Sequence, residues 1–366
     1  MRNNLPVKKN PGTTHILFVH EGYSSFVRAD AEILGKRYNL AVYFLKPDKR
    51  FFHFLFNHLK FIFFFLKNRK HTDLVYSWFC DYHAVTAGFL AKLFHKKHIV
   101  VVAGFDGVSI PSISFGLFYK NDIRARLALK TYRRADHILT VDPSLIKGEN
   151  HYVEGKNIIG IANFDPGLVQ KATAIPFGYD ARYWKCAGTT KKQQVLSVGL
   201  APNNTVAIRK GFDLFMACAR QMPQYRFIYI GLDKKNVSFD FAGIPNLTVI
   251  EKVPQEQLKK YFCESKVFAQ FSISEGLPNT LCEAMLCECV ATGSNVNGIP
   301  RVIRNKEYIL EKKDVTKATE ILERALNAEE ETGKKNREYI EKNYPPEARA
   351  NALYQIIDSI YKTTNE

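Results

Sequence analysis

The sequence lacks the cysteine patterns of disulfide-rich and zinc-binding proteins. It has only seven cysteines in 366 residues, an odd number, and none of them form a Cys-x-x-Cys pair. Most lie within apolar stretches, where cysteine behaves as a small buried hydrophobic residue. We therefore expect buried free thiols in a reducing compartment, rather than disulfides or a metal site. The residues are Cys80, Cys186, Cys218, Cys263, Cys282, Cys287 and Cys289.

Other missing signals each exclude a class of protein. Residues 1–14, MRNNLPVKKNPGTT, have no apolar core, so we expect no signal peptide and a cytoplasmic protein. The most apolar stretch is too short and too interrupted to cross a bilayer. No Gly-x-Gly-x-x-Gly follows the first predicted strand, which argues against a standard dinucleotide site. There is no Asp-x-Asp pair either, so we expect no metal-bound diphosphate and no cofactor.

Acidic residues are scarce, and the formal net charge is +16. The excess lies mainly in residues 1–165. A basic half can serve nucleic acid, an anionic membrane or a phosphorylated substrate, and charge alone does not choose among them. A non-catalytic nucleic-acid-binding protein remains an alternative. It would need aromatic residues interleaved with Lys and Arg, or a known module, and the sequence shows neither.

The order of apolar segments predicts an α/β protein. The strand-like segment His15–His20 is followed by a helix-like segment, 26–37, and by a second strand, 40–45. Such a βαβ unit implies a parallel sheet with right-handed crossovers. The alternation continues on both sides of a polar stretch near residues 175–192, and the chain is too long for one core. We therefore predict two doubly wound domains.

The stretch 271–300, FSISEGLPNTLCEAMLCECVATGSNVNGIP, carries the most informative pattern. A buried strand leads through a Gly/Pro loop into a helix, whose first N–H groups favour a phosphate. Glu275 lies in the loop and Glu283 about one turn inside the helix, so both carboxylates can bind hydroxyls at the loop. This combination suits a nucleotide sugar. An ordinary helix start is the alternative.

A second candidate lies at Arg209 and Lys210, just before the predicted helix 212–220. Two cations at a helix N-terminus oppose the helix dipole, and an anionic ligand would offset that cost. Arginine binds phosphate in a bidentate manner and lysine as a point charge. The pair therefore predicts a diphosphate site, and two ordinary exposed cations are the alternative.

These residues resemble the glutamate-x7-glutamate motif of the retaining family-four glycosyltransferases of GT-B fold. The motif runs from Glu275 to Glu283, and the following run GSNVNGIP, 293–300, resembles the next loop of the family. An acidic residue usually follows that proline, and Arg301 stands there instead. The resemblance implies two Rossmann-like domains that face a central cleft. It also implies a retaining transferase, with a sugar-nucleotide epimerase of GT-B type as the alternative.

The resemblance divides the chain into functional parts. Residues 1–14 would be a polar tail, 15–180 the acceptor-binding domain, 181–345 the nucleotide-sugar-binding domain, and 346–366 a helix that crosses back to the first domain. Asp106, Lys210 and Glu275 would be catalytic. The donor-binding residues would be Arg209, Lys210, Glu275, Gly276, Leu277, Pro278, Asn279, Thr280 and Glu283. The acceptor-side residues would be Gly22, Tyr23, Ser24, His83 and Asp106, although the family commonly has a histidine in the loop of Asp106.

The segment from Phe51 to Leu66 is a helix-like run dominated by Phe, Leu and Ile, with Lys and Arg at both ends. This pattern favours a helix that lies in the interface of an anionic membrane, with Phe61, Phe64 and Phe65 on the lipid face. The alternative is a helix packed on the sheet. Membrane docking predicts a lipid-linked glycan acceptor in polysaccharide, lipopolysaccharide or glycolipid synthesis, and a peripheral location at the inner face of the cytoplasmic membrane.

Overall fold

Two parallel β-sheets organise the part of the chain that the computed structural model describes, residues 14–362. Each sheet has six strands, and the first strand of each domain lies inside its sheet and not at an edge. The predicted fold class, two Rossmann-like domains that face a central cleft, is confirmed. The predicted polar tail lies outside the described residues except for Thr14.

The N-terminal domain holds the first sheet and a small three-stranded sheet of order β5-β8-β7. Its central strands are buried along almost their whole length, because helices cover both faces of a parallel sheet. The strands are β1 His15–His20, β2 Asn39–Phe44, β3 Leu74–Trp78, β4 Lys97–Val102, β5 Val108–Ser109, β6 His137–Thr140, β7 Gly148–Glu149, β8 Ile158–Ile159 and β9 Ala172–Ala174. The helices are α1 Ser25–Arg37, α2 Phe51–Asn68, α3 Tyr82–Leu93 and α4 Ile123–Arg134.

The C-terminal domain is built on the second sheet, whose strand β13 is buried at every residue. Its strands are β10 Lys192–Ala201, β11 Arg226–Leu232, β12 Leu247–Ile250, β13 Ser265–Gln270, β14 Val290–Ser294 and β15 Ile309–Leu310. The helices are α5 Asn204–Arg209, α6 Phe212–Gln221, α7 Gln255–Glu264, α8 Asn279–Leu286, α9 Ile299–Ile303, α10 Val315–Leu326, α11 Glu330–Asn343 and α12 Pro346–Lys362.

The last helix, α12, returns to the N-terminal domain and packs against α1. A buried ion pair fastens it there: the Arg349 guanidinium donates to both carboxylate oxygens of Asp30 at 2.6 and 2.8 Å. Asp30 also accepts hydrogen bonds from Tyr76 and Trp78 of β3. The charge is therefore compensated on every side, as a buried carboxylate requires.

One cysteine prediction is wrong. Cys186, in the segment that links the domains, and Cys263, in α7, form a disulfide with a Cα–Cα distance of 5.5 Å. They are 77 residues apart in the sequence, so spacing could not reveal the pair. The five remaining cysteines are free and buried, as expected. The Cys287 sulfur belongs to the same cluster, since the three sulfurs lie within 4.8 Å of one another.

Candidate functional site

Glu275 and Lys210 form an ion pair at the carboxyl end of the second sheet. The loop that carries Glu275 joins β13 to α8, and the Lys210 ammonium lies 2.6 Å from Glu275 Oε1. Ser272 Oγ and Gln270 Nε2 donate to the same oxygen at 2.7 and 3.2 Å. Among the described residues, these side-chain hydrogen bonds all reach Oε1. The carboxylate is thus fixed by one oxygen, which leaves Oε2 available for a ligand hydroxyl.

The charges of this pair are set by burial and by a second cation. Burial opposes ionisation of Glu275, but the charges of Lys210 and Arg209 outweigh it and hold the pKa of the carboxyl below its usual value. Burial lowers the pKa of Lys210, and Glu275 offsets part of this effect. The site therefore combines an ionised carboxylate with two basic side chains.

The placement of the two cations differs from the prediction in one respect. Arg209 ends the short helix α5, Lys210 is its C-cap, and Gly211 at φ 76° is the N-cap of α6. A cation is favourable at the C-terminus of α5, and this offsets the expected conflict with the dipole of α6. Arg209 donates to the Ser274 carbonyl at 3.1 Å. It still faces the glutamate loop, and its buried Nε has no hydrogen-bond partner in the described part of the chain.

The start of α8 has no side-chain cap, because Pro278 occupies the N-cap position. Its first N–H groups can therefore meet an anion. Asn279 is anchored instead to the linker, since Tyr179 Oη donates to its Oδ1 at 2.8 Å. Thr280 donates to Gln270, which in turn binds Glu275. Leu277 is buried in the core, so only its backbone can reach a ligand.

Glu283, the second glutamate of the motif, lines a cavity of about 500 Å³ between α1, the linker and α8. The cavity walls also include Ser25, Tyr179, Gln255 and Asn279. Burial raises the pKa of Glu283 to about 7. This carboxyl is half-ionised near neutral pH and can accept hydrogen bonds from a diol. It lines a different part of the cleft from the Glu275 pair.

The loop after β4 closes over the glutamate loop from the other domain. A Cβ added at Gly276 would overlap the Ala103 carbonyl oxygen, and one added at Gly104 would lie 3.7 Å from Gly276 N. Arg301, where the family usually has an acidic residue, donates to buried Asp142 of the first domain at 3.1 Å. Arg301, the residue that differs from the family, thus provides a contact between the two domains.

Asp106 does not face the cleft as an acceptor-side residue would. Its carboxylate is buried and accepts hydrogen bonds from the N–H groups of Cys80, Ala103 and Gly104 at 3.0 to 3.1 Å. Desolvation raises its pKa to about 6. These contacts shape the loop after β4. The predicted catalytic role is therefore not compatible with its position, and Asp106 acts on the site by holding the loop.

His83 is also buried, behind the end of β1. Its Nε2 lies 2.7 Å from the Trp78 carbonyl, and its Nδ1 lies 3.4 Å from Glu21 Oε2. Because a carbonyl only accepts, Nε2 carries the proton. Glu21 was not among the predicted residues, although it is the first residue after β1. That position, at the carboxyl end of a central parallel strand, is the signal that could have found it.

The other predicted acceptor-side residues form the turn into α1. Tyr23 is partly exposed and packs on the His20 ring at 4.9 Å. Ser24 is the N-cap of α1, but its hydroxyl makes no cap hydrogen bond. Gly22 has open space around it. These residues border the cleft without forming a preassembled binding site.

Helix α2 has two different faces. Phe61 and Phe65 are fully buried against the sheet and α3, so the expectation that they face lipid is wrong. The other side exposes large apolar residues, and Phe52 and Phe63 are 80% and 78% exposed. The exposed face consists of Phe51, Phe52, Leu55, Phe56, Leu59 and Phe63. No helix among residues 14–362 is long and apolar enough to cross a bilayer.

Comparisons with known proteins find glycosyl transferases. Residues 190–344 match the family model of the glycosyl transferases group 1. An alpha-galactosylglucosyldiacylglycerol synthase of Streptococcus pneumoniae is 22% identical over 233 residues, which is 57% of this chain and 57% of the relative. The chain thus spans little more than half the length of this curated relative.

Solved structures share the whole architecture at low sequence identity. A sucrose-phosphate synthase from Thermosynechococcus elongatus has a TM-score of 0.70 at 13% identity, over 96% of this chain and 100% of the other. Anabaena HepE, in complex with UDP, has a TM-score of 0.66 at 11% identity, over 94% and 100%. The chain therefore has the GT-B fold, and its segment 190–344, which includes both glutamates and the cation pair, resembles the group 1 glycosyl transferases.

Proposed function

We propose that the protein transfers a sugar from a nucleoside diphosphate sugar to a hydroxyl of a lipid-linked glycan or glycolipid, with retention of configuration. The single observation that carries this proposal is the cluster of Arg209, Lys210 and Glu275 at the uncapped start of α8. It pairs positive charge for a diphosphate with a fixed carboxylate for sugar hydroxyls. The Anabaena structures contain UDP and UDP-glucose, which makes uridine nucleotides the first donors to try.

Transfer breaks the bond between the anomeric carbon and the diphosphate. Negative charge grows on the leaving phosphate, and Lys210, Arg209 and the N–H groups after Gly276 stabilise it. In this proposal the cationic side chains supply the positive charge that a metal ion would otherwise provide at the leaving phosphate. Glu275 Oε2 holds hydroxyls of the donor sugar and Glu283 those of the ribose. We assign no covalent nucleophile.

The acceptor is proposed to come from a membrane surface. From Lys49 to His71 the chain has no acidic residue, and the basic side chains Lys49, Arg50, Lys60 and Lys67 are all exposed. They accompany the exposed face of α2, so apolar and cationic groups lie together on one helix. Such a surface fits the interface of an anionic bilayer. Docking at the inner leaflet would give the protein access to lipid-linked acceptors for cell-surface polysaccharide or glycolipid synthesis.

A panel of nucleotide sugars tests the donor half of the proposal. The purified protein should hydrolyse one donor slowly, releasing the nucleoside diphosphate, and that diphosphate should raise the melting temperature. Oligonucleotides of matched charge serve as the control and should not stabilise the protein. If oligonucleotides stabilise it and no nucleoside diphosphate does, the proposal fails. Formation of an epimer of the donor without transfer would point to an epimerase instead.

A further inference from the structure

A second cavity, of about 520 Å³, lies in the N-terminal domain between the strand ends and helix α2. Glu21 follows β1, Leu45 follows β2 and Asp81 caps α3 after β3. β1 lies between β2 and β3 in the sheet, so the chain winds away in both directions from this point. Ligands of open parallel sheets bind at such topological switch points.

The charges that line this cavity do not favour an anion. Arg124 is paired with Asp81, through Nε at 2.8 Å and through a second contact from Nη2. Asp48 is bound by the neighbouring Arg50. The remaining charged side chains of the lining, Glu21 and Lys49, have opposite signs. The cavity therefore has no excess of positive charge for a phosphate group.

Glu21 is suited to bind hydroxyl groups. Its side chain is 30% exposed, and the contact of 3.4 Å with His83 involves only Oε2. The His83 Nδ1 is buried and has no hydrogen-bond partner in the described structure. A carboxylate with an open, solvent-facing oxygen can accept hydrogen bonds from neighbouring hydroxyls of a polyol. His83 lies beside Glu21 in the wall of the same cavity.

A continuous row of contacts joins this cavity to the donor site. The Arg124 guanidinium lies over the Phe105 ring at 5.1 Å, and Phe105 packs on Phe115 at 5.5 Å. Arg209 of the donor site lies over the other end of the row, 4.6 Å from the Phe115 ring. Packed side chains therefore connect the wall of the cavity with a cation of the donor site.

The cavity also borders the proposed membrane surface. Phe54 and His58 of α2 form part of its wall, and Phe54 packs edge-on against Tyr82 of α3 at 5.3 Å. The same helix carries the exposed face. An amphiphile whose tail remains in a bilayer below α2 could reach this cavity with its head group.

We propose that this cavity binds the uncharged sugar or polyol head group of a membrane amphiphile, with Glu21 as the residue that holds its hydroxyls. This inference rests on the proposed function and narrows the acceptor to a neutral head group. A lipid phosphate as the bound group is the alternative that the test must separate.

The test is a binding measurement with two soluble amphiphiles, octyl β-D-glucopyranoside and octyl phosphate, below their micellar concentrations. The Glu21→Gln protein should bind the glucoside at least tenfold more weakly than the wild type. Pro47→Trp, an exposed loop position on the cavity rim, should block binding by bulk alone. The matched control is Glu149→Gln, whose side chain is 83% exposed and outside the cavity, and it should bind like the wild type.

The outcomes separate this inference from the proposed function. If the wild type does not bind the glucoside, binds octyl phosphate more tightly, or keeps its affinity in both variants, the neutral acceptor site is overturned. If Glu21→Gln lowers the melting temperature strongly, glucoside binding by the Pro47→Trp protein decides whether the cavity is the binding site. Stabilisation of the wild type by a nucleoside diphosphate is measured separately, and its failure would overturn the proposed function instead.

Discussion

Lys210 is the residue whose charge matters most for a diphosphate ligand, because it touches both the cleft and Glu275. We expect Lys210→Ala to weaken the binding of the preferred nucleoside diphosphate by about ten- to a hundredfold, or about 1.5 to 3 kcal/mol. The fold should persist, since Ser272 and Gln270 still bind Glu275. Isothermal titration calorimetry measures the loss. Lys192→Ala, at an exposed ion pair with Glu264, is the control, and equal affinity of Lys210→Ala and the control would contradict the site.

Glu283 should make nucleotide binding depend on pH. Its pKa of about 7 means that the carboxylate, the form proposed to accept hydrogen bonds from the ribose hydroxyls, is lost as the pH falls. We expect affinity to be about tenfold lower at pH 6 than at pH 8, since one unit below the pKa leaves about a tenth ionised. The nucleotide phosphate also titrates near pH 6, so Glu283→Gln is needed as a reference. Identical pH profiles for the two proteins would rule out this role.

The raised pKa of Glu283 also makes the stability of the folded protein depend on pH, and in the opposite direction to nucleotide binding. The folded protein holds the Glu283 proton more tightly than the unfolded chain, because the pKa rises from 4.5 to about 7. Stability is therefore lost as the pH rises through this range. Urea unfolding should show that Glu283→Gln gains stability relative to the wild type between pH 5 and pH 8. A constant difference across this range would contradict the shift.

Single residues were predictable where a motif fixes them and unpredictable where packing decides. Glu275 and Lys210 were both singled out by motif, and the structure brings them together in an ion pair at one sheet edge. Asp106 looked like a free carboxylate between two glycines, but the loop folds so that its oxygens bind backbone N–H groups. The sequence alone does not show whether the Glu21 side chain is exposed or buried. Only the structure shows that Glu21 lines a cavity.

Helix α2 shows that the environment of a whole helix can also be hard to predict from sequence. Its composition is apolar on nearly every side, so periodicity cannot separate the packed face from the exposed one. In the structure the packed face is clear, because Phe61 and Phe65 pack on Tyr43 and Phe94, and the opposite face is exposed. Membrane docking through the exposed face stays a prediction. A further local difference, helix α5, escaped prediction because it has only six residues.

The two faces of α2 give a matched test of membrane docking. Replacing Phe52, Phe56 and Phe63 together with Ser should leave the melting temperature unchanged and abolish sedimentation with vesicles that contain phosphatidylglycerol. Wild type should sediment with these vesicles more than with phosphatidylcholine alone, because each basic residue near the surface adds about 1 kcal/mol of attraction.

Phe61→Ser is the matched control on the buried face of α2. It should destabilise the protein by about 3 to 5 kcal/mol, as expected for removal of a core aromatic ring. Urea unfolding measures this cost. Wild-type protein that ignores anionic vesicles at low salt would refute docking through α2, and the acceptor would then be soluble.

At the scale of the whole molecule, α12 fastens the chain end to the first domain. Removing the Asp30 carboxylate with Asp30→Ala would leave Arg349 buried without a partner, and this should cost about 3 to 5 kcal/mol of unfolding free energy. Arg37→Ala removes an exposed ion pair between α1 and α12, formed with Asp358, and should cost about 1 kcal/mol or less. Urea unfolding of both variants measures the difference. Equal costs would mean that the buried pair does not fasten α12.

The two-domain architecture was predictable because alternating strands and helices repeat on both sides of a polar linker. The relation between the domains was not, because it depends on contacts between residues far apart in sequence. Asn150 donates to the Ile273 carbonyl at 2.8 Å, and Arg301 pairs with Asp142 across the same cleft. The disulfide between Cys186 and Cys263 has the same origin. Such contacts leave no local pattern.

Domain closure itself can be tested at Gly276. A methyl group there would overlap the Ala103 carbonyl oxygen and approach the Val141 side chain, so Gly276→Ala should hold the two domains apart. We expect sugar transfer to fall at least tenfold while nucleoside diphosphate affinity changes only a fewfold, because the loop keeps its N–H groups and Lys210 remains. Small-angle scattering with bound nucleotide should show a larger radius of gyration than for the wild type.

Gly243→Ala, where an added Cβ meets nothing within 4 Å, is the control. Wild-type scattering and turnover in Gly276→Ala would show that the loops need not touch for catalysis.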